Sequence, residues 1–200
     1  MPTYREVQYY LAGLWLLVRN DARGFNYLDI SDRGLTRSFW AVLWCLPPIG
    51  ISWLWWQQTY LSAMPPGSAT GPAFFFRLGL VEAANWLVPP VMAGLLLLLF
   101  RSGEKFQPVV VAMNWLGLPL AYLNALLIAL IAFVPGSAGL TAILWLVLMM
   151  ALIFALARIL RMICGPHPLF VAAMTLMMMV PPMLLTDFLQ HFLGIYPPGS

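Results

Sequence analysis

Apolar positions along this chain fall into one short amphipathic stretch and five long runs. Residues 3–19 read as a helix: Val7, Leu11, Leu14 and Val18 share one face with Tyr10, Trp15 and Leu17 beside it, while Arg5, Gln8 and Arg19 lie elsewhere. Leu16 falls on the polar side, and the segment is too short and too charged at its ends to span a bilayer. It is therefore expected to lie along the membrane interface. A polar connector over 20–37 carries Asp21, Arg23, Asp29, Asp32 and Arg33, with Gly24 and Gly34 marking turns. The runs at 38–56, 75–100, 108–134, 141–157 and 169–185 are each apolar enough to cross a hydrocarbon layer of ~30 Å, which takes about 20 helical residues. The expected organisation is all-α. Residues 1–37 form a cytoplasmic or interfacial helix and connector, residues 38–187 a five-helix transmembrane domain, and residues 188–200 a short extracytoplasmic tail. Short links make neighbouring spans antiparallel, so the five form one bundle.

Composition agrees with this pattern. Hydrophobic residues make up 62% of the chain and charged ones 8%, against roughly 25% charged in a soluble domain. So little charge cannot cover a water-exposed surface. The nine Trp and seven Tyr suit the membrane interface, where amphipathic rings collect. No segment between the apolar runs is long enough to bury a soluble core. No cleavable signal peptide is evident: the run at 11–18 is short, and no small-residue cleavage site follows it before Asp21.

The charges give an orientation. Arg5, Arg19, Arg23, Arg33 and Arg37 precede the first span, Arg101 and Lys105 follow the second, and Arg158 and Arg161 follow the fourth; only Arg77 lies in the alternate set. This alternation puts the N-terminus in the cytoplasm and the C-terminus outside, and it supports five spans. The net charge of +3 does not point to nucleic acid, because the basic residues sit near helix ends and form no stripe.

Proline placement is the most informative candidate feature. Pro47–Pro48, Pro89–Pro90 and Pro181–Pro182 fall inside three spans and Pro119 inside a fourth, all at ~15–21 Å from the cytoplasmic end at helical rise. Each proline removes a backbone donor and frees a carbonyl about a turn earlier. Such a layer predicts broken helices with unpaired carbonyls near the midplane, arranged either as a polar cavity or as kinks that shape packing.

Polar residues inside spans are costly and so are candidates for function. Glu82 and Asn85 share a face of the second span, and Asn124 of the third lies at similar depth. These three form the candidate intramembrane site, unless Glu82 only fixes packing through hydrogen bonds. Arg77 is about 140° round the helix from Glu82, and is expected to snorkel to the outer interface beside residues 74–76. Arg158 and Arg161, near the cytoplasmic side with Asn114, are candidate lipid head-group contacts. Asp187 and His191, four apart, can meet on one helix face.

Metal and cofactor chemistry find little support. Met174, Met177, Met178, Met179 and Met183 would suit soft Cu(I), with Cys164 and His167 within reach, but the methionines point round the whole helix as packing residues do. Cys45 and Cys164 lie in or beside apolar segments and suggest no disulfide framework. No nucleotide-binding glycine loop, zinc-protease helix or nucleophile elbow is present. No cofactor and no metal are expected.

The N-terminal amphipathic helix, the stretch Leu28-Asp-Ile-Ser-Asp-Arg-Gly34, the tetrad Ser38-Phe-Trp-Ala41 and five spans with the N-terminus inside resemble bacterial relatives of the Yip family. The likeness covers the architecture of most of the chain and involves no invariant motif. Eukaryotic members are trafficking proteins associated with Rab GTPases. This chain lacks their long cytosolic arm and its acidic-tyrosine-glycine-proline signature, so Rab binding is not carried over. The resemblance implies a small integral protein of the bacterial inner membrane.

Short loops and sparse motifs favour an accessory or scaffold protein that packs against a larger membrane complex or organises lipid. Its partners would be membrane lipids, other integral membrane proteins or further copies of itself. The alternative is a small transporter or channel with a midplane polar site around Glu82. An enzyme is disfavoured, since paired acids, a nucleophile–base set and a metal site are all missing. The two leading readings differ on one point: a transporter requires a cavity at the proline depth with Glu82 facing it.

Overall fold

The computed structural model describes residues 2–196. Within them the protein is a helix bundle without strands. Helix α1 spans Tyr4–Val18. It starts where a capping box places it: Thr3 Oγ1 accepts from the Glu6 amide, and Glu6 Oε2 accepts from the Thr3 amide at 2.7 Å. After a 3-10 turn at Ala22–Tyr27 come α2 (Asp32–Ser38), capped by the Ser31 hydroxyl, and the short α3 (Ala41–Trp44). The long helices follow: α4 (Leu46–Ser62), α5 (Pro72–Leu99), α6 (Phe106–Phe133), α7 (Ala138–Cys164) and α8 (Pro168–Phe192). Pro72 and Pro168 open α5 and α8 at positions whose amide would have no helical partner. Gly165, at φ 92, ends α7.

Helices α5 to α8 are each long and apolar enough to cross a membrane. Asp32–Trp44 and α4 meet the same test together, bent by 45°, which makes a fifth crossing if that pair is one span. The chain is thus a multi-pass membrane protein. Taken as one span, that pair begins six residues before the run expected at 38–56, and it bends at Cys45, just before Pro47 and Pro48, where a break was expected. The end of the chain also differs from expectation. Residues 188–192 belong to α8, and Ile195 folds back to full burial against Phe74, Leu78 and Val81, so these residues are part of the bundle. Residues 197–200 of the expected tail lie outside the described residues.

The layer of helix breaks also requires correction. Only Pro47–Pro48 coincides with a break. Pro89–Pro90, Pro119 and Pro181–Pro182 lie inside α5, α6 and α8, which run on through them. A proline deletes one hydrogen bond of the ladder, and in helices of 25 to 28 residues the remaining bonds and the packed neighbours keep the turns in place.

One end of the bundle is closely packed. Val7, Tyr10, Leu14 and Leu17 of α1 are buried against Val111, Ala112 and Trp115 of α6 and Ile159 of α7. A second cluster joins Leu97, Val109, Leu160 and Met174. The buried face of α1 thus includes Val7 and Leu14 as expected, but it is turned toward Tyr10 and Leu17, leaving Leu11 and Val18 half-buried. Basic residues gather at this end. Arg37 pairs with Glu6 at 2.8 Å, Arg158 donates to the Val18 carbonyl at 2.9 Å, and Lys105 donates to the Cys164 carbonyl at 3.2 Å. The Thr3 amide and the Arg37 guanidinium hold the Glu6 carboxyl down at about 2. Asn114 Nδ2 donates to Ser38 Oγ at 2.9 Å, both residues buried.

The other half is looser. Along α7, residues Ile143 to Val147 are all exposed, while its residues buried against α8 lie near the link between the two helices. At this end Trp56 meets Tyr196 edge-on at 5.4 Å, and Tyr60 packs on Phe74.

Candidate functional site

Glu82, Asn85 and Trp86 lie along the inner side of α5. The i, i+4 spacing stacks Trp86 over Glu82, and the indole Nε1 donates to Glu82 Oε1 at 3.1 Å. Asn85 Oδ1 accepts from Thr186 Oγ1 of α8 at 2.6 Å, which ties together two helices that pack along much of their length. On α8, Pro182, Thr186 and Gln190 recur every four residues and make one ridge, with Met183 and Asp187 beside it. Asn124 of α6 and Ser52 of α4 complete the polar set. All of these residues line a single cavity of about 830 Å³ bounded by α4 to α8.

The cavity occupies the looser half. From Gln190 to Pro182 it runs eight residues along α8, or ~12 Å at helical rise. A smaller chamber of about 190 Å³ continues it toward the basic end, sharing Asn85, Trp86, Gly117 and Leu120, and reaching Pro89, Pro90 and Asn114. The Asn114–Ser38 hydrogen bond and the packed layer beneath α1 border this chamber at the basic end.

The structure brings the three sequence candidates Glu82, Asn85 and Asn124 to one cavity wall. Among the prolines, Pro48 and Pro182 line the main cavity and Pro89 and Pro90 the deeper chamber, whereas Pro47, Pro119 and Pro181 line neither. Arg158 and Arg161 stand apart from it. They border a groove of about 570 Å³ between α7 and α8 at the basic end, where Arg158 is held over the Phe154 ring at 4.2 Å and Arg161 is exposed. Arg77 is exposed, with its guanidinium close to Gly194.

Asp187 and His191 do meet, at 3.8 Å, and Tyr196 joins them: its ring stacks on the imidazole with centroids 4.2 Å apart, and its hydroxyl lies 3.5 Å from Asp187 Oδ1. Asp187 and Tyr196 line the cavity, with His191 against them. Sequence reading did not single out Ser52, Thr186, Gln190 or Tyr196. The four-residue recurrence of Pro182, Thr186 and Gln190 was the available signal for two of them.

Cys45 and Cys164 are free and buried. Met174 and Met178 are buried among α7 and α8, while Met177 and Met183 are exposed. Among the described residues no three His, Cys, Asp or Glu side chains cluster as metal ligands would. Compared with known proteins, the chain matches no family model, no curated protein and no solved structure.

Proposed function

We propose that this protein is a small transporter or channel of a bacterial inner membrane, with its solute held in the cavity between α4 and α8. One observation carries this reading: Glu82, Asn85, Asn124, Thr186, Asp187 and Gln190, drawn from three helices, face one space of about 830 Å³. Intramembrane carboxyls and amides are expensive, and they face cavities where function requires them. Packing against a partner requires no such space. The positive-inside rule puts the basic, closed end in the cytoplasm, so the cavity opens toward the outside. On this reading the packed layer at Asn114 closes the cytoplasmic end in an outward-open state, and α1, bound to α6 and α7, reinforces the closure.

The accessory reading keeps one supporting observation, the exposed apolar half of α7 at 143–147, which offers a face to another membrane helix. The resemblance to the Yip family adds a membrane location to either reading and no activity.

The test is a thermal-shift screen of the purified full chain in lipid nanodiscs against polar solutes, followed by flux of the best stabiliser into proteoliposomes. A ligand that binds only the folded chain raises its melting temperature. Stabilisation and flux that Glu82→Gln abolishes support the proposal. Absence of any stabilising solute, with a second membrane protein co-purifying at fixed stoichiometry, replaces it with the accessory role.

A further inference from the structure

We infer that the cavity selects a small amphiphilic organic cation, its ammonium group between Glu82 and Asp187 and its apolar part in the deeper chamber. The inference rests on the cavity being a solute site and adds the class of solute.

Charge is the first ground. Two carboxylates line the main cavity, and no Lys or Arg does so among the described residues. Arg77, on the same helix as Glu82, is exposed beside Gly194, and His191 touches Asp187 from the rim. Glu82 sits within the spanning part of α5, and its one hydrogen-bond donor among the described residues is the neutral Trp86 indole. An ionised carboxylate at that depth calls for a counter-charge, and a cationic solute brings one.

The walls are the second ground. Trp86, Trp145 and Tyr196 line the same space. Aromatic faces attract organic ammonium groups through the ring quadrupole, most strongly when water is excluded. A small inorganic ion is poorly served here, since it needs converging oxygen ligands rather than a wide aromatic chamber.

Amides facing the cavity are the third. Gln190 is only 8% exposed, lines the cavity, and its side chain makes no hydrogen bond among the described residues. Asn124 is half-buried in the same condition. Facing the cavity without a protein partner among the described residues, both amides are open to N–H or O–H groups of a ligand. The deeper chamber has a different character: Pro89, Pro90, Leu156 and Met178 make it largely apolar, as a hydrocarbon portion requires.

The experiment uses the full chain in nanodiscs and three probes of similar size: benzyltrimethylammonium, benzyl alcohol and benzenesulfonate. Titration calorimetry is expected to show saturable binding of the ammonium probe, with benzenesulfonate neither binding nor competing. Glu82→Gln is expected to weaken the ammonium probe about tenfold or more, the loss of one charge-assisted contact. Trp145→Leu, on the exposed half of α7, is expected to weaken it several-fold, and it keeps the test readable if Glu82→Gln fails to fold. Equal affinity for benzyl alcohol, or an ammonium affinity unmoved by the folded variants, overturns the cation inference while the cavity remains a solute site. If none of the probes binds the folded chain, the cation inference falls, and the solute screen described above decides the transport reading separately.

Discussion

The hydroxyl of Tyr122 on α6 donates to the carbonyl of Trp44 at 3.2 Å, and that carbonyl is the one Pro48 deprives of its helical partner four residues on. The bend between α3 and α4 is thereby satisfied from a neighbouring helix, the means by which non-helical backbone is tolerated at membrane depth. Tyr122→Phe is expected to cost about 1 kcal/mol, the usual worth of one such bond. In a Pro48→Ala background the restored amide pairs with the same carbonyl, so the cost of Tyr122→Phe falls toward zero. A double-mutant cycle by thermal or denaturant unfolding in detergent measures the coupling; additive effects would show that Tyr122 does not serve this carbonyl.

Gly117 lies where the main cavity meets the deeper chamber. A Cβ there meets only the Trp86 ring, at 3.8 Å, an ordinary contact. Gly117→Ala is therefore expected to fold normally, and Gly117→Leu to fill the junction. The larger variant should retain its melting temperature within a few degrees and lose solute binding at least tenfold, since overpacking is mild where space is already open. Loss of folding in Gly117→Leu would show that the junction is tighter than the geometry indicates.

The opposite case is Gly13 on α1. A Cβ there would come within 2.5 Å of Tyr27 Cβ and 2.8 Å of the Gly24 carbonyl, so the helix and the turn at 22–27 touch backbone to backbone. Gly13→Ala is expected to destabilise by about 1–3 kcal/mol, the usual penalty of overpacking, and to release α1 first. Limited proteolysis after Arg19 or Arg23 reports that release; unchanged cleavage would refute it.

Glu6 supplies the pH dependence. Its carboxyl falls from an ordinary 4.5 to about 2 in the folded chain, through the Thr3 amide and then the Arg37 guanidinium. A depressed pKa stabilises the fold fully above the unfolded value and loses that contribution as pH falls through the folded value. The melting-temperature gap between the native chain and Glu6→Gln is therefore expected to be constant above about pH 5 and to close between 4.5 and about 2. A gap that persists at the acid end would assign the contact to shape rather than charge.

Much of this fold was legible because lipid imposes simple rules. The alternation of Arg37, Lys105 and Arg158 predicted a shared end, and in the structure these three hold the N-terminal segment and the α7–α8 link together there. The positions of Glu82, Asn85 and Asn124 followed from the cost of polar groups at depth. Which proline pair breaks its helix was less legible, because a pair states that two backbone donors are missing and not whether neighbours will keep the helix continuous. At Pro89–Pro90 and Pro181–Pro182 the helices run on. Thr186 was invisible because a threonine in a helix commonly bonds its own backbone; its partner Asn85 lies 101 positions away, and only packing of α5 on α8 brings them together. Gln190 and Tyr196 were hidden by the assumption that the chain beyond 187 was a tail.

The exposed stretch of α7 at 143–147 gives the cavity one wall unlike the others. Trp145, Leu148 and Met149 face the cavity from a helix whose outer half has little protein behind it, so acyl chains back that wall in place of a neighbouring helix. The chamber's width is then a joint property of chain and solvent. A micelle and a bilayer present different backing to the same residues, and affinities measured in the two are properties of two different sites.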